Sequence, residues 1–255
     1  MTENCELVSE WMMGNKLKLN ADKTHLMTVG TSRRLQSLEA KVNVVMDGFT
    51  LVESSDKVET LLGCQIEPGL KWHKQVDELV GKLRKRLTAL AHLRNIVPYH
   101  LRKTITEGMF TSVMSYCLPV FGGCDKEELQ ALQVMQNKAA RLVSHFPLRA
   151  PRKEIYATLG WLSVNQLVFY HSMLTLSTFR IRQSGEPEYL SNLQARDGRT
   201  GRIIISNTTL TLAKRSFSYR ASAQWNSIPD NVRNIRRVSQ FKVQLREAFP
   251  RKNRK

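Results

Sequence analysis

An apolar stripe that begins at Trp72 constrains the fold of this chain more than any other feature. Its members recur every three or four residues, at Trp72, Val76, Leu79, Leu83, Leu87, Leu90 and Val97. This is the spacing of an amphipathic helix, and Pro98 is expected to end that helix. The cations Lys74, Lys82, Lys85 and Arg86 lie off the stripe. The pattern therefore predicts a helix over residues 72–97 with one buried face and one cationic face.

Two further helices are predicted downstream. The first starts near His100, ends before Pro119, and carries apolar residues at Leu101, Ile105, Met109, Val113 and Tyr116. The second starts at Asp125, because Glu128 stands three residues later as in a capping box. Its apolar positions are Leu129, Leu132, Met135, Ala139 and Leu142. Three helices with short links predict an antiparallel bundle.

Upstream of the bundle, most apolar residues alternate with polar ones, as in β-strands. A short helix over residues 3–14, with Leu7, Val8, Trp11 and Met12 on one stripe, precedes a hairpin predicted over residues 16–29. The pair Asp47-Gly48 predicts a second hairpin between Val42–Met46 and Phe49–Leu51. A further strand is predicted over Val58–Ile66.

Downstream of the bundle the chain is expected to become less regular. A short helix over Lys153–Leu159 leads to a helix capped by Ser163 and Gln166 and ended by Gly185 and Pro187. Residues 184–216 are predicted to form a loosely ordered arm with one β-like run, Ile203–Ile205. Two short helices, Ser218–Asn226 and Ser239–Phe249, and a basic tail close the chain.

These elements predict an α+β fold that is mostly α-helical. A small antiparallel β region over residues 1–68 is followed by a helical bundle over residues 69–183. Residues 184–255 form a basic C-terminal region with two short helices.

The net charge of +17 and the pI near 10 point to a polyanionic partner, with nucleic acid ahead of an anionic membrane surface. Residues 71–103 carry nine basic and two acidic side chains, and residues 201–255 carry thirteen and two. A single charge run is usually only a solvated face, but two separate basic segments favour a binding surface.

Several classes of protein are disfavoured by the sequence. There is no run of about 18 apolar residues, as a membrane span needs. The N-terminus, MTENCELVSE, lacks the apolar core of a signal peptide. The four cysteines, Cys5, Cys64, Cys117 and Cys124, show no metal-binding spacing. We therefore expect reduced thiols in a nuclear or cytoplasmic protein that is not secreted, while the oligomeric state stays open.

The residues suggest binding chemistry and no reaction centre. There is no Asp-Asp pair of the kind that holds two catalytic cations, and the acidic cluster at Asp125–Glu128 is better explained as a helix cap. The six histidines show no HExxH spacing. In the C-terminal region, Arg220, Arg233, Arg236 and Arg237 stand among aromatic residues, a mixture that suits nucleic-acid contact as well as packing.

Several segments also carry a family resemblance. The segment SEWMMGNKLKLNADKTHLM resembles the one that follows the catalytic carboxylate motif in reverse transcriptases of non-LTR (LINE-like) retrotransposons. LLGCQI and LKWHKQVDELVGKLRKRLTALAHLR are similar to the primer-grip strand and the first thumb helix of that family. The similarity continues through SVMSYCLPVFGG, LQALQVMQNKAARLV, LGWLSV, FSYRASAQWNSIPDNVR and VSQFKVQLREAF, and covers nearly the whole chain.

The resemblance implies the end of a palm, then a thumb, then a C-terminal region of an RNA-directed DNA polymerase. It implies that Lys18, Asn20, Lys23 and Thr24 belong to the hairpin on the nucleotide side of the palm, with Lys23 the candidate for assisting the leaving pyrophosphate. Gly63 matches the primer-grip glycine, where the missing Cβ lets the backbone approach the primer strand. A template–primer duplex of RNA and DNA is the implied partner. The residues that would line the thumb groove over this duplex are Lys82, Arg84, Lys85 and Arg86.

The departure from the family concerns the catalytic centre. The family's Asp-Asp motif should lie just N-terminal to the predicted hairpin, and the chain starts at Met1, only a helix away from that hairpin. Mg²⁺ is expected for the full-length family, whereas no cofactor is expected for this chain. The sequence therefore predicts a truncated, catalytically inactive protein that binds nucleic acid through Lys18, Lys23, Gly63, the thumb cations, Arg220, Arg236 and Arg237. The alternative is a helical protein–protein interaction scaffold whose basic charge is incidental.

Overall fold

The computed structural model of the protein is mostly α-helical, with two small antiparallel sheets of two strands each in the part of the chain that it describes. The described residues are 2–20, 23–37, 44–46, 48–51, 53, 58–144, 146–147, 149–182, 201–205 and 207–249. The chain divides into two compact units, Met1–Gln75 and Val76–Lys255. No helix among the described residues has the length and apolar content that crossing a lipid bilayer requires.

The first unit contains two helices and two hairpins in its described residues. The elements are α1 (Thr2–Gly14), α2 (Ser32–Gln36), β1 (Val44–Met46), β2 (Phe49–Leu51), β3 (Glu59–Leu61) and β4 (Cys64–Ile66). The predicted α+β class, mostly helical with a small antiparallel β region, is confirmed at this level.

The hairpin at Asp47-Gly48 is confirmed. Strand β1 pairs antiparallel with β2, Met46 lies opposite Phe49, and Gly48 has a φ of +77°. This left-handed turn conformation costs glycine little, which is why the pair is a strong hairpin signal. Val44, Met46 and Leu51 form the buried core of the hairpin. Val42 and Asp47, which the prediction also used, lie outside the described residues.

The hairpin predicted over residues 16–29 is wrong, because the described residues in this range form no strand. Lys16 has a left-handed φ of 56°, and the Leu17 amide donates to the Met12 carbonyl at 2.8 Å, so this segment closes the end of α1. The Lys23 amide donates to the Asn20 carbonyl at 3.1 Å, and the two residues of the predicted turn between them lie outside the described residues. Leu19 and Leu26 are partly buried against the β1–β2 core. The alternation that suggested two strands therefore reflects packing of single side chains.

The single strand predicted over Val58–Ile66 is also wrong, because the chain reverses in its middle. Strands β3 and β4 pair antiparallel, with Leu61 opposite Cys64. Leu62 and Gly63 have φ values of 49° and 77°, as the two central residues of a type I′ turn require. Sequence alternation continued through the turn and concealed it.

Helix α1 exists as predicted, but of its predicted inner stripe only Met12 packs inward. Leu7, Val8 and Trp11 are exposed, whereas Cys5 and Met12 pack against the β1–β2 core. One helix can carry apolar residues on two sides, and the hydrophobic pattern does not reveal which of them is covered.

The second unit is mostly helical in its described residues, and its first helix, α3, begins at His73. The elements are α3 (His73–Leu93), α4 (Tyr99–Thr106), a π-helical segment (Glu107–Thr111), α5 (Ser112–Ser115), α6 (Leu118–Phe121), α7 (Lys126–Val143), α8 (Arg152–Leu159), α9 (Val164–Arg182), α10 (Thr211–Arg215), α11 (Phe217–Asn226), α12 (Asp230–Arg233) and α13 (Val238–Ala248).

The apolar stripe of α3 is confirmed as its buried face, over Val76, Leu79, Leu83, Leu87 and Leu90. Trp72 is buried just before the helix with a φ of 71°. The helix ends at Leu93, four residues earlier than predicted, and Val97 follows in a turn.

The apolar face predicted for residues 100–116 is wrong. Leu101, Met109 and Tyr116 are exposed, and the buried face instead carries Arg102, Thr106, Phe110 and Met114. The Thr106 hydroxyl donates to the Arg102 carbonyl at 2.8 Å, so its polar group is satisfied within the helix. Arg102 finds partners at the ends of other helices. Because the buried face contains the polar residues Arg102 and Thr106, the hydrophobic pattern of the sequence was stronger on the exposed face.

The two predicted helix caps are confirmed. At the start of α7 the Asp125 amide donates to the Glu128 carboxylate at 2.8 Å, as a capping box requires. Before α9 the Ser163 amide donates to the Gln166 side chain at 2.9 Å. Helix α8 matches its prediction to within one residue.

The described part of the C-terminal region is more ordered than predicted. Ile203 is buried, and Asn226 binds both its backbone amide and its carbonyl at 2.9 Å. The described residues of this region form four short helices, α10 to α13, where two were predicted. Several residues of these helices share a core with Tyr170, Met173 and Leu176 of α9. Gly185, Pro187 and the basic tail lie outside the described residues.

Candidate nucleic-acid interface

The four cations predicted to bind nucleic acid on α3 are spread around the side of the helix that faces away from its buried stripe. At about 100° per residue, Arg84 and Arg86 lie on opposite flanks of Lys85, and Lys82 lies between Lys85 and Arg86. Lys82, Arg84 and Lys85 are exposed, and Arg86 is half-buried. The helix therefore presents a broad cationic surface and no single row of charges.

Two of these four cations are engaged within the protein. Lys82 Nζ lies 2.5 Å from a carboxylate oxygen of Glu78, one turn earlier on the helix. Arg86 Nε donates to the Met109 carbonyl at 2.7 Å. Met109 belongs to the π-helical segment, where the regular ladder is interrupted and a carbonyl can accept from outside the helix. The Glu78–Lys82 spacing was visible in the sequence as a helical i, i+4 pair, whereas the partner of Arg86 was not.

Arg84 and Lys85 differ from the other two, because neither has an acidic partner among the residues that the structure describes. Their helix is held on its opposite side by the buried apolar stripe. These two side chains are accordingly the most available cations of the predicted set on α3.

The predicted C-terminal arginines separate into inner and outer residues. Arg220 is half-buried and donates to the carbonyls of Pro119 at 2.8 Å and Arg215 at 2.9 Å. Burial lowers the pKa of the Arg220 guanidinium. Arg233 is buried and forms an ion pair with Asp230.

Arg236 and Arg237 lie exposed just before α13. Of the arginines predicted in the C-terminal region, these two are placed for contact with an external anion, whereas Arg220 and Arg233 stabilise the chain's own packing.

The remaining predicted residues lie in the first unit. Lys18 and Lys23 are exposed and lie on either side of Asn20 in the chain, and the Thr24 hydroxyl donates to the Asn20 carbonyl at 2.8 Å. Gly63 occupies the tight turn between β3 and β4, so the local backbone already accounts for a glycine there. The roles of these three residues toward nucleic acid stay predictions.

The described residues do not fit the Mg²⁺ expected for the full-length family. Nowhere in the described ranges do three or more His, Cys, Asp or Glu side chains stand close enough together to hold a metal ion. Asp125, the first residue of the acidic cluster, caps α7 and forms an ion pair with Arg215.

All four cysteines are free thiols, and the environment of Cys124 is distinctive. Burial is the main cause, and the neighbouring Glu128 carboxylate a smaller one, of a pKa of the Cys124 thiol that is raised to about 12. Since the thiolate is the reactive form, this thiol is inert at neutral pH.

We expect Cys124 to resist alkylation by iodoacetamide in the folded protein up to about pH 10, because its pKa is raised and its sulfur is buried. Cys117, seven residues earlier and half-buried, is the matched control and should be labelled first. Peptide mass spectrometry after timed labelling measures both sites in one sample. Equal labelling of the two cysteines under native conditions would contradict the expectation.

Comparisons with known proteins give no match. No family model, no curated protein and no solved structure matches this chain. A function for this chain can therefore be inferred only from its residues, their contacts and the sequence resemblance.

Proposed function

We propose that this chain binds an RNA–DNA duplex through the outward cationic side of α3, as the palm-end, thumb and downstream part of a non-LTR retrotransposon reverse transcriptase, and that it does not polymerise by itself. The observation that carries the proposal is the exposure of Arg84 and Lys85 without an acidic partner among the described residues. The order of the segments that resemble the family supports the same function.

The physical basis is neutralisation of phosphates. A cation that contacts a phosphate releases a condensed counterion, so affinity falls as salt concentration rises. Arg84 and Lys85 are adjacent in the chain and splay by about 100° around the helix axis, so they reach different phosphates. Arg86 contributes less to this surface, because its Nε is engaged by the Met109 carbonyl.

We expect the double substitution Arg84→Ala and Lys85→Ala to weaken binding to a short labelled RNA–DNA duplex by about tenfold at low salt, because each lost phosphate contact removes electrostatic free energy. The slope of log affinity against log salt should also become shallower by about 2. Fluorescence anisotropy between about 50 and 200 mM salt measures both quantities.

The matched control is the double substitution Arg152→Ala and Lys153→Ala. These residues are also an adjacent, exposed Arg-Lys pair, and they lie on α8. Both double variants lose the same net charge, so their affinities for the duplex should differ only if the duplex contacts a local surface on α3. Equal effects of the two variants would show that binding follows net charge alone. Primer extension by this chain alone in the presence of Mg²⁺ would contradict the catalytic part of the proposal.

A further inference from the structure

A serine at the start of α13 follows two adjacent arginines. The segment reads Arg236-Arg237-Val238-Ser239, and all of its residues except Val238 are exposed. Ser239 is the second residue of α13, and its hydroxyl makes no hydrogen bond to the described part of the chain. Together with Ile235 it lines an open surface depression of about 520 Å³, so its hydroxyl can be reached from solvent.

The two arginines are free to bind an external acidic group. Neither Arg236 nor Arg237 forms an ion pair with any residue that the structure describes. The first turn of α13 contains no acidic side chain, and Asp230 of α12 is engaged by Arg233. The surroundings of Ser239 are therefore basic, with cations that no internal carboxylate neutralises.

Other serines of the chain lack this combination. Four serines have an arginine three residues before them, and only Ser239 has a second arginine two residues before it. Of the other three, Ser144 is buried. The hydroxyl of Ser37 donates to a backbone carbonyl at 3.0 Å, and the arginine before Ser218 is engaged in an ion pair. Ser239 is thus the one of the four that combines exposure, a free hydroxyl and free arginines.

We propose that Ser239 is a phosphorylation site for a basophilic serine kinase. Kinases of this class recognise arginines two and three residues before the acceptor through carboxylates of their own substrate cleft. In the reaction, the Ser239 Oγ bonds to the γ-phosphorus of ATP and ADP leaves. The catalytic aspartate of the kinase takes the hydroxyl proton.

The backbone before Ser239 is suited to an extended substrate cleft. Residues 235–237 form neither helix nor strand, and Arg237 is extended, with φ −115° and ψ 121°. The first helical hydrogen bond runs from the Phe241 amide to the Arg237 carbonyl at 2.9 Å. Because the amides of the first turn have no partner within a helix, the chain can open as far as Ser239 with the loss of few hydrogen bonds.

Phosphorylation of Ser239 is expected to oppose nucleic-acid binding. A phosphoserine carries about −1.5 to −2 charges at neutral pH, and negative charge is favourable in the first turn of a helix. The phosphate would pair with Arg236 and Arg237, which are the exposed arginines that the C-terminal region offers to an external anion. This consequence rests on the proposed function, whereas the role of Ser239 as an acceptor does not.

The test treats the full chain with a purified basophilic serine kinase and ATP, and follows phosphopeptides by mass spectrometry over time. We expect Ser239 to be the main site and Ser239→Ala to abolish its signal. The double substitution Arg236→Ala and Arg237→Ala should lower kcat/KM at Ser239 by at least about tenfold, because charge-assisted contacts to the kinase are lost. Arg33→Ala with Arg34→Ala, which removes the other exposed Arg-Arg pair of the chain, is the matched control and should leave this rate unchanged.

A second measurement addresses the effect on binding. Fluorescence anisotropy with the labelled RNA–DNA duplex should show about tenfold weaker binding at low salt after phosphorylation of the wild type. The Ser239→Ala variant treated with the same kinase is the control and should keep the affinity of the untreated chain.

Two outcomes overturn the phosphorylation site: no phosphate at Ser239 of the folded chain, or equal rates for the two double arginine variants. Unchanged duplex affinity after complete phosphorylation would overturn the effect on binding alone. Failure of the untreated wild type to bind the duplex would contradict the proposed function, while mass spectrometry still decides whether Ser239 is an acceptor.

Discussion

Replacing Arg102 with methionine is expected to lower the free energy of unfolding by about 3 to 5 kcal/mol. Arg102 is only 2% exposed, and its Nε donates to the Val143 carbonyl at 3.1 Å while Nη1 donates to the Arg94 carbonyl. Val143 is the last residue of α7, and Arg94 follows the last residue of α3. One guanidinium therefore satisfies carbonyls at the C-terminal ends of two helices, where the helix dipoles also favour a cation.

Methionine fills a similar volume, so the loss measures the polar contacts and not a cavity. Arg102→Lys should recover only part of the stability, because an ammonium on a single stem does not reproduce the guanidinium fork. His100→Ala, at an exposed position on the same helix, is the control and should change stability by about 0.5 kcal/mol or less. Urea unfolding followed by circular dichroism gives all three values. A methionine variant as stable as the wild type would show that the two carbonyls find other partners.

Features with local causes could be predicted from the sequence. The Asp47-Gly48 hairpin and the Asp125–Glu128 cap depend on backbone conformations and hydrogen bonds within a few residues. The buried face of α3 could be predicted because its apolar stripe contains no polar interruption. In each case the residues that determine the element are neighbours in the chain.

Features with distant causes could not be predicted. The inner face of α4 contains Arg102, whose partners lie 8 and 41 residues away in the chain. Without those partners a buried arginine is unfavourable, so hydrophobic periodicity selected the outer face. The segment after α1 alternated like a strand, but its amides are used to close the helix and its leucines pack on the β1–β2 core.

The candidate interface also combines features that could be predicted from the sequence with features that could not. The sequence located the cations of α3 and of the C-terminal region, because charge can be counted. It did not distinguish Arg86 and Arg220, which donate to backbone carbonyls, from Arg84 and Lys85, which have no acidic partner among the described residues. That distinction requires the partners, which lie on other helices.

A substitution at Gly123 is the second one expected to cause a large loss of stability, because two arginine side chains pack close to this residue. Arg215 forms an ion pair with Asp125, and Arg220 donates to the carbonyls of Pro119 and Arg215. A Cβ at Gly123 would overlap the Arg215 carbonyl oxygen and lie 2.8 Å from Arg220 Nε. The backbone between α10 and α11 would have to move, and both arginine contacts would be disturbed together.

We therefore expect Gly123→Ala to lower the free energy of unfolding by about 3 kcal/mol, as overpacking at a buried site does. Gly81→Ala is the matched control, since a Cβ at Gly81 in α3 would meet no atom within 4 Å. Alanine should raise stability there by up to about 1 kcal/mol through its helix propensity. The two substitutions add the same methyl group, so opposite signs in urea unfolding would isolate the steric contact. A loss at both positions would instead indicate that any added methyl group disturbs the fold, and no loss at Gly123 would contradict the close approach of Arg215.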